Sequence, residues 1–270
     1  FDGIVQKLDY LKGLGITVIY LNPIFKAYSN HRYDTGDYMQ IDPLLGNDAD
    51  FDNFITECER RGIAVILDGV FNHTGDDSRY FNKYGNYDEL GAYQSKDSKY
   101  YAWYNFKHFP DKYESWWGID VLPSVNESCD SYANFITGTD GVIDHWIRRG
   151  VSGFRLDVAD ELPDEFIEKI RNAAHAARAD ALIIGEVWED ASNKIAYSKR
   201  RKYLQGKELD SVMNYPLKDA IIKFLKSENT EVLREAIAQL RDNYPKCVLD
   251  SLMNILGTHD TSRILTVLGG

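Results

Sequence analysis

Apolar positions along the chain switch between helical spacing and short continuous runs. Ile4, Leu8 and Leu11 recur at helical intervals, and Gly13 and Gly15 close that helix. Residues 16–21 (ITVIYL) form a β-branched run that stops at Asn22-Pro23 and read as a buried strand. Phe51, Phe54, Ile55 and Cys58 stand at i, i+3, i+4 and i+7, predicting a helix closed by Arg60-Arg61-Gly62, and residues 63–67 (IAVIL) are the next strand. From His73 to about Asp130 the periodicity breaks down in a stretch rich in Tyr, Asn, Asp and Lys. It is too long for an ordinary connection and is either a folded insertion or a lid. Alternation then resumes: a helix over about 132–149, a strand over 153–158, a helix over 166–177 with Pro163 suited to its first turn, and a strand over 182–187 followed by a basic helix. A strand over 209–214, helices over about 217–226 and 231–242, and a last strand over 252–256 (LMNIL) complete the pattern.

Strands alternating with helices predict an α/β fold with a parallel sheet. A doubly wound sheet would carry a glycine-rich phosphate loop after its first strand, and none is present. Instead Asn22, Asp68, Asp157, Glu186, His259 and Asp260 stand at the C-terminal ends of strands. That is where a TIM (β/α)8 barrel assembles its site. Only six of eight strands are readable, so the barrel is expected to be truncated, with the first and last strands missing. The chain starts at Phe1-Asp2-Gly3, already entering a helix and without an initiator Met. It therefore reads as a segment of a longer chain, and no compartment is assigned.

Composition changes this picture little. With 44% hydrophobic and 27% charged residues, a packed core is expected. The net charge of −11, with basic residues only in short isolated clusters, excludes a nucleic-acid partner and suits a neutral substrate. No apolar run reaches the length of a membrane span. Cys58, Cys129 and Cys247 have no metal-ligand spacing and are read as structural, Cys58 as a small buried hydrophobe.

The strand ends carry the chemistry. The third strand of the expected barrel runs into DGVFNH (residues 68–73); Arg155 and Asp157, two apart on a strand, project to the same side. Glu186 follows LIIG, and His259 and Asp260 follow the last strand. Asp68 is equally a structural partner for Arg155, and His73 and His259 singly would be satisfied core histidines. Glu186 has no such structural explanation, because a carboxylate buried at a strand end is costly. Crowded carboxylates raise one another's pKa, which suits an acid/base pair, and two carboxylates flanking a scissile bond are the minimal apparatus of a glycosidase.

At these residues the chain resembles glycoside hydrolase family 13, the α-amylase family, over essentially its whole length. DGVFNH resembles the first family signature, usually Asp-Val-Val-x-Asn-His, with Gly69 as a departure; GFRLDVADE, GEVW and GTHDTSR resemble the second, third and fourth. The resemblance implies that Asp157 is the nucleophile and Glu186 the general acid/base. Asp260 would hold sugar hydroxyls and stabilise the transition state, and Arg155 would orient Asp157 and keep it ionised. His73 and His259 would hydrogen-bond the same glucose, over Tyr33 as its aromatic platform, with Asp68 among the substrate-binding residues. A retaining enzyme places its two key carboxyls roughly 5–5.5 Å apart.

SNHRYDTGDY (residues 29–38) followed by IDPLLG is similar to the neopullulanase and cyclomaltodextrinase subgroup. LPSVN (residues 122–126) stands where that subgroup usually has Met-Pro-Lys-Leu-Asn, and only Pro123 and Asn126 match. Glu161 occupies a position associated with the acceptor side, and Trp188 is either a plus-subsite platform or a core residue. Residues 74–130 would be the family's domain B, inserted after the third strand, with 1–73 and 131–270 forming the barrel. Its tyrosines and Trp116-Trp117 would wall the cleft, although packing of an irregular domain explains most of them. Many members bind calcium and Asn72 matches one ligand, but Ala159-Asp160 stand where calcium-binding members typically carry Lys-His. The resemblance therefore carries no metal site over, and no cofactor is expected. The implied function is retaining hydrolysis of α-1,4 and, less specifically, α-1,6 bonds in maltooligosaccharides, cyclodextrins, pullulan or starch. Alternatives are a transglycosylase with the same site and a non-catalytic glycan- or partner-binding module. Sheet edges left by missing strands would favour self-association into a homo-oligomer.

Overall fold

The helical spacing over residues 51–58 becomes a helix whose four apolar side chains are all buried. Its start is locked locally: Asn47 accepts from the backbone of Ala49 and Asp50, and the Asp50 carboxylate returns to the Asn47 N–H. A computed structural model describes residues 1–270, which form two units: Phe1–Asp157 with Glu161–Leu182, and Val158–Asp160 with Ile183–Gly270.

In the first unit the order is α1 (Asp2–Val5), α2 (Leu8–Gly13), β1 (Val18–Tyr20), β2 (Phe25–Ala27), β3 (Thr35–Ile41), α3 (Asp48–Arg60) and β4 (Ala64–Gly69). Then follow β5 (Phe106–His108), β6 (Lys112–Tyr113), α4 (Asp130–Thr137), α5 (Val142–Arg148), β7 (Gly153–Leu156) and α6 (Asp164–Ala177). β1, β4 and β7 pair in parallel, with Val18 opposite Ala64 and Ile66 opposite Gly153. β7 is buried throughout, the pattern of a strand covered on both faces. Trp146 of α5 is wholly buried against Phe25 and Phe51, and its indole N–H donates to the Tyr38 carbonyl at 2.9 Å. One side chain thus ties α5 to α3 and to the β2–β3 hairpin.

Besides Val158–Asp160, the second unit runs from within β8 (Leu182–Gly185) through β9 (Ile195–Ala196), β10 (Lys199–Arg200), β11 (Ser211–Val212), α7 (Tyr215–Ser227), α8 (Thr230–Asn243), α9 (Lys246–Asp250) and α10 (Ile264–Val267). β8 and β11 are parallel neighbours, with Ile184 opposite Ser211. Asn214 caps α7 by accepting from the Leu217 N–H. No helix is long and apolar enough to cross a membrane.

Several expectations need correction. Residues 252–256 form no strand: only Met253 bridges to Met213, while the Asn254 side chain turns to Asn214 at 2.8 Å. The basic stretch after Val187 is not a helix. It is a 3₁₀ turn at Ala191–Asn193 and the β9–β10 hairpin, turned at Tyr197 and Ser198, which both have positive φ. Its charges are used locally, Lys194 reaching the Asp160 carboxylate at 3.0 Å and Arg201 the Asp160 carbonyl at 2.8 Å. The helix expected over 132–149 is broken into α4 and α5 between Gly138 and Gly141, and the first helix divides into α1 and α2. The β2–β3 hairpin was not anticipated, because its register shifts blur the strand alternation. Cys58 is buried as expected, Cys129 is partly exposed and Cys247 exposed, and all three are free thiols.

Residues 74–130 lie within the first unit. Phe81 packs on Tyr104, Tyr113 and Phe106, and Trp103 on Tyr80, Tyr132 and Phe135. Most aromatic rings here hold an irregular segment together in place of regular hydrogen-bonded structure.

Gly153 has a steric reason: a Cβ there would lie 2.0 Å from the Leu182 carbonyl oxygen. Gly153→Ala is expected to destabilise the fold by roughly 1–3 kcal/mol in urea titrations, whereas Gly3→Ala, in open helical space, is neutral or stabilising.

Candidate active site

Strand register assembles the first unit's polar centre. Asp68 on β4 stands directly opposite Arg155 on β7, and Asp157 continues the ladder through its N–H to the Gly69 carbonyl at 3.1 Å. The Arg155 guanidinium donates from Nη1 to Asp68 Oδ1 and to Asp157 Oδ1, both at 2.8 Å. Arg155 is fully buried, with Asp68 1% and Asp157 6% exposed. Burying such charges costs several kcal/mol apiece unless they are paired, so the three groups require one another. The second oxygen of Asp68 accepts from the Tyr20 hydroxyl at 2.5 Å and the Tyr33 hydroxyl at 2.7 Å. Burial first, and the Asp68 charge second, push both phenols well above their ordinary pKa, so they remain protonated donors. Tyr20 was missed in the sequence because it is one more aromatic in an apolar run.

Tyr33 is presented by a loop that organises itself. The Asp34 carboxylate accepts from the Ser29 N–H at 2.9 Å and from the Ser29 hydroxyl. Arg32, at φ 63°, pairs with Asp42 at 3.1 Å. The Tyr33 carbonyl accepts from His73 Nε2 at 2.9 Å. Burial holds His73 down to about 4, so its ring is neutral near pH 7. The Gly69 departure from the family signature also has a cause: a Cβ at residue 69 would lie 2.6 Å from the Phe71 ring, which fills that space.

Glu161 accepts from the Trp117 indole N–H at 3.1 Å. Glu127, absent from the sequence reading, is pushed up to about 8, by burial first and then by the Glu161 charge. Asn72 is buried, neither of its amide atoms has a hydrogen-bond partner, and no group of three or more His, Cys, Asp or Glu is arranged to hold a metal ion.

In the second unit Glu186 follows β8 and is 3% exposed. Its Oε2 accepts from the Val158 N–H at 2.8 Å, and the Tyr215 hydroxyl is 3.5 Å from Oε1. Val158 has φ 39°, a left-handed conformation that a β-branched residue rarely adopts. That strain coincides with the N–H directed at the carboxylate. Trp188 is 45% exposed and stacks on Tyr215 at 4.3 Å, so it covers the ring beside Glu186. Asp160 is held by Tyr203 at 2.6 Å and by Lys194. His259 and Asp260 pair with each other at 3.1 Å on an exposed turn, with Asp260 the more exposed. Five predicted residues (Tyr33, Asp68, His73, Arg155 and Asp157) therefore share one network, while Asp260 is engaged with its own neighbour.

The family model described as "Alpha amylase, catalytic domain" matches residues 1–270. The chain is 42% identical to an amylopullulanase of Thermoanaerobacterium thermosulfurigenes over 99% of its own length and 16% of that protein's. It is 37% identical to a cyclomaltodextrinase of Geobacillus thermopakistaniensis (strain MAS1), over 100% of this chain and 44% of that protein. Among solved structures it is similar to ligand-free cyclic alpha-maltosyl-(1→6)-maltose hydrolase from Arthrobacter globiformis, with TM-score 0.88 and 31% identity, covering 100% of this chain and 59% of that one. The chain thus spans less than half the length of these two curated relatives.

Because the folded pKa of His73 lies below its unfolded value near 6.5, the unfolded chain binds the extra proton more readily. The stability this supplies is complete above pH 6.5 and declines as pH falls towards about 4, by on the order of 3 kcal/mol. Urea unfolding across that window should show the decline in the wild type and a shallower one in His73→Gln.

Proposed function

This chain belongs to the α-amylase family, and on that footing we propose that it is a retaining α-glucan hydrolase with Asp157 as nucleophile and Glu186 as general acid/base. The observation that carries the reading is Asp157 Oδ1 held at 2.8 Å by a fully buried arginine. An oriented carboxylate loses little freedom on attack. In the first step Asp157 attacks the anomeric carbon while Glu186, in its acid form, gives its proton to the departing glycosidic oxygen. The bond to the leaving sugar breaks, and a glycosyl ester forms with inversion. In the second step Glu186 takes a proton from water, the oxygen attacks the same carbon and the ester breaks, so the configuration is retained. Every proton and bond is carried by the two carboxylates, the substrate and one water molecule, and no cofactor enters the reading.

Tyr33, with its hydroxyl fixed on Asp68, would present its ring to the glucose being cleaved, and neutral His73 would hydrogen-bond it. Asp260 and His259 would act on the same sugar. Trp188 would pack against the remainder of the glucan. Residues 74–130 would be domain B, and the barrel would comprise 1–73 and 131–270. Substrates would be α-1,4-linked oligosaccharides, with α-1,6 bonds accepted, in line with the names of the relatives. The edge strand β1, where Val18 is 45% exposed, would pair copies of this chain into a homo-oligomer.

Glu186→Gln should lower turnover of maltooligosaccharides roughly 10²–10⁴-fold. Its residual activity should be best preserved on substrates whose leaving group needs no proton. Asp157→Asn should lose turnover on both kinds of substrate. Full activity in Glu186→Gln would overturn the assignment. Light scattering coupled to size-exclusion chromatography should show mass rising with protein concentration, and a monomer at every concentration would sink the edge-pairing proposal.

A further inference from the structure

Trp117 is the largest strongly exposed side chain in the molecule, 77% accessible, and it is held there in several ways. Its backbone has φ 52° and ψ 25°, in the left-handed region that a bulky residue normally avoids, and Gly118 follows at φ 77°. The turn is clamped beneath it: the Trp116 N–H donates to the Leu122 carbonyl at 2.9 Å, and the Ile119 N–H to the Trp116 carbonyl at 3.0 Å. One face of the Trp117 ring stacks on Trp116 at 5.2 Å and 21°, and Trp116 stacks on buried His73 at 5.4 Å and 27°. The indole N–H is fixed by Glu161 at 3.1 Å. The three rings form a ladder rising from His73, whose Nε2 meets the carbonyl of Tyr33.

An exposed tryptophan placed only by chance would fold onto the surface and cover its apolar faces. Here conformational strain, a stacked support and a charged hydrogen-bond partner keep one broad face towards water. A flat, electron-rich face fixed in orientation suits the axial C–H face of a neutral pyranose ring, and its anchoring carboxylate disfavours an anionic ligand. Two ring spacings separate Trp117 from His73, so this is a place distinct from the sugar that His73 would touch.

We infer that Trp117 is a stacking platform for a further glucosyl unit of a bound α-glucan, and that Glu161 is the positioning residue that fixes its plane. The inference rests on the α-glucan reading given above and extends it. Strain and ordering are borne by the protein before the sugar arrives, so the contact favours longer chains over single sugars.

The test is calorimetric titration of maltoheptaose into the protein carrying Glu186→Gln, which slows turnover. Trp117→Ala is expected to raise Kd about tenfold, the effect of losing one well-packed ring, while Trp117→Phe stays within about threefold of the parent. Glu161→Ala should raise Kd by roughly three- to tenfold. Glu161→Gln, which still accepts from the indole, should restore it, and Glu161→Ala should add nothing further in the Trp117→Ala background. Maltoheptaose should also change the tryptophan emission of the parent, and that change should be smaller in Trp117→Phe, leaving the part due to Trp188. Unchanged emission of the two proteins' remaining tryptophans without ligand guards against misfolding as an explanation. An unaltered Kd in Trp117→Ala would overturn the inference alone. Failure of the parent to bind maltoheptaose would overturn the α-glucan reading, and the platform with it.

Discussion

The ion triad of Asp68, Arg155 and Asp157 is the constraint on which the first unit's polar centre depends. Arginine cannot shed its charge inside a protein, so a fully buried guanidinium must find carboxylates in fixed positions. Parallel pairing of β4 with β7 supplies one, because register sets Asp68 opposite Arg155. Strand alternation supplies the other two residues on, as Asp157. Tyr20 and Tyr33 then satisfy the remaining oxygen of Asp68. Displacement of any of these strands by one residue would turn the charges away from each other, so the electrostatics and the register enforce one another.

Close backbone approach is the second requirement. Gly153 allows β7 to lie against the Leu182 carbonyl, and Gly185 leaves room for Leu209, whose side chain would lie 2.4 Å from a Cβ at that position. Beyond β7 the chain turns through Val158 at positive φ, and its N–H goes to the Glu186 carboxylate. Strain therefore sits beside the Glu186 carboxylate, as it does again at Trp117 beside Glu161. In both places a hydrogen bond to a glutamate accompanies the unfavourable backbone angle.

Much of this was legible in the chain. The apolar runs at 63–67 and 182–185 lead into Asp68 and Glu186, and on a strand the two-residue spacing of Arg155 and Asp157 places both on one side. α3 was legible because its four apolar positions have one period and its cap is local in sequence. The β2–β3 hairpin was not, since shifted register destroys alternation. The stretch after Val187 misled because basic residues read as a solvated helix face, whereas Lys194 and Arg201 are drawn to Asp160 by contacts far apart in sequence.

Sequence alone determined the family and the strand ends that carry Asp68, Asp157 and Glu186, because those are properties of short motifs with fixed spacing. The strand end expected before His259 and Asp260 did not form. The chain's acidic balance also led to the expectation of a neutral substrate over a phosphate-rich one. Only tertiary structure decided which partners those residues take: Tyr20 on Asp68, Tyr215 beside Glu186, Trp117 on Glu161, and His259 with Asp260. Such pairings depend on distances between segments many residues apart. Burial then sets the protonation of groups such as His73 and Glu127, a property no local pattern carries because desolvation is a sum over everything that surrounds the group.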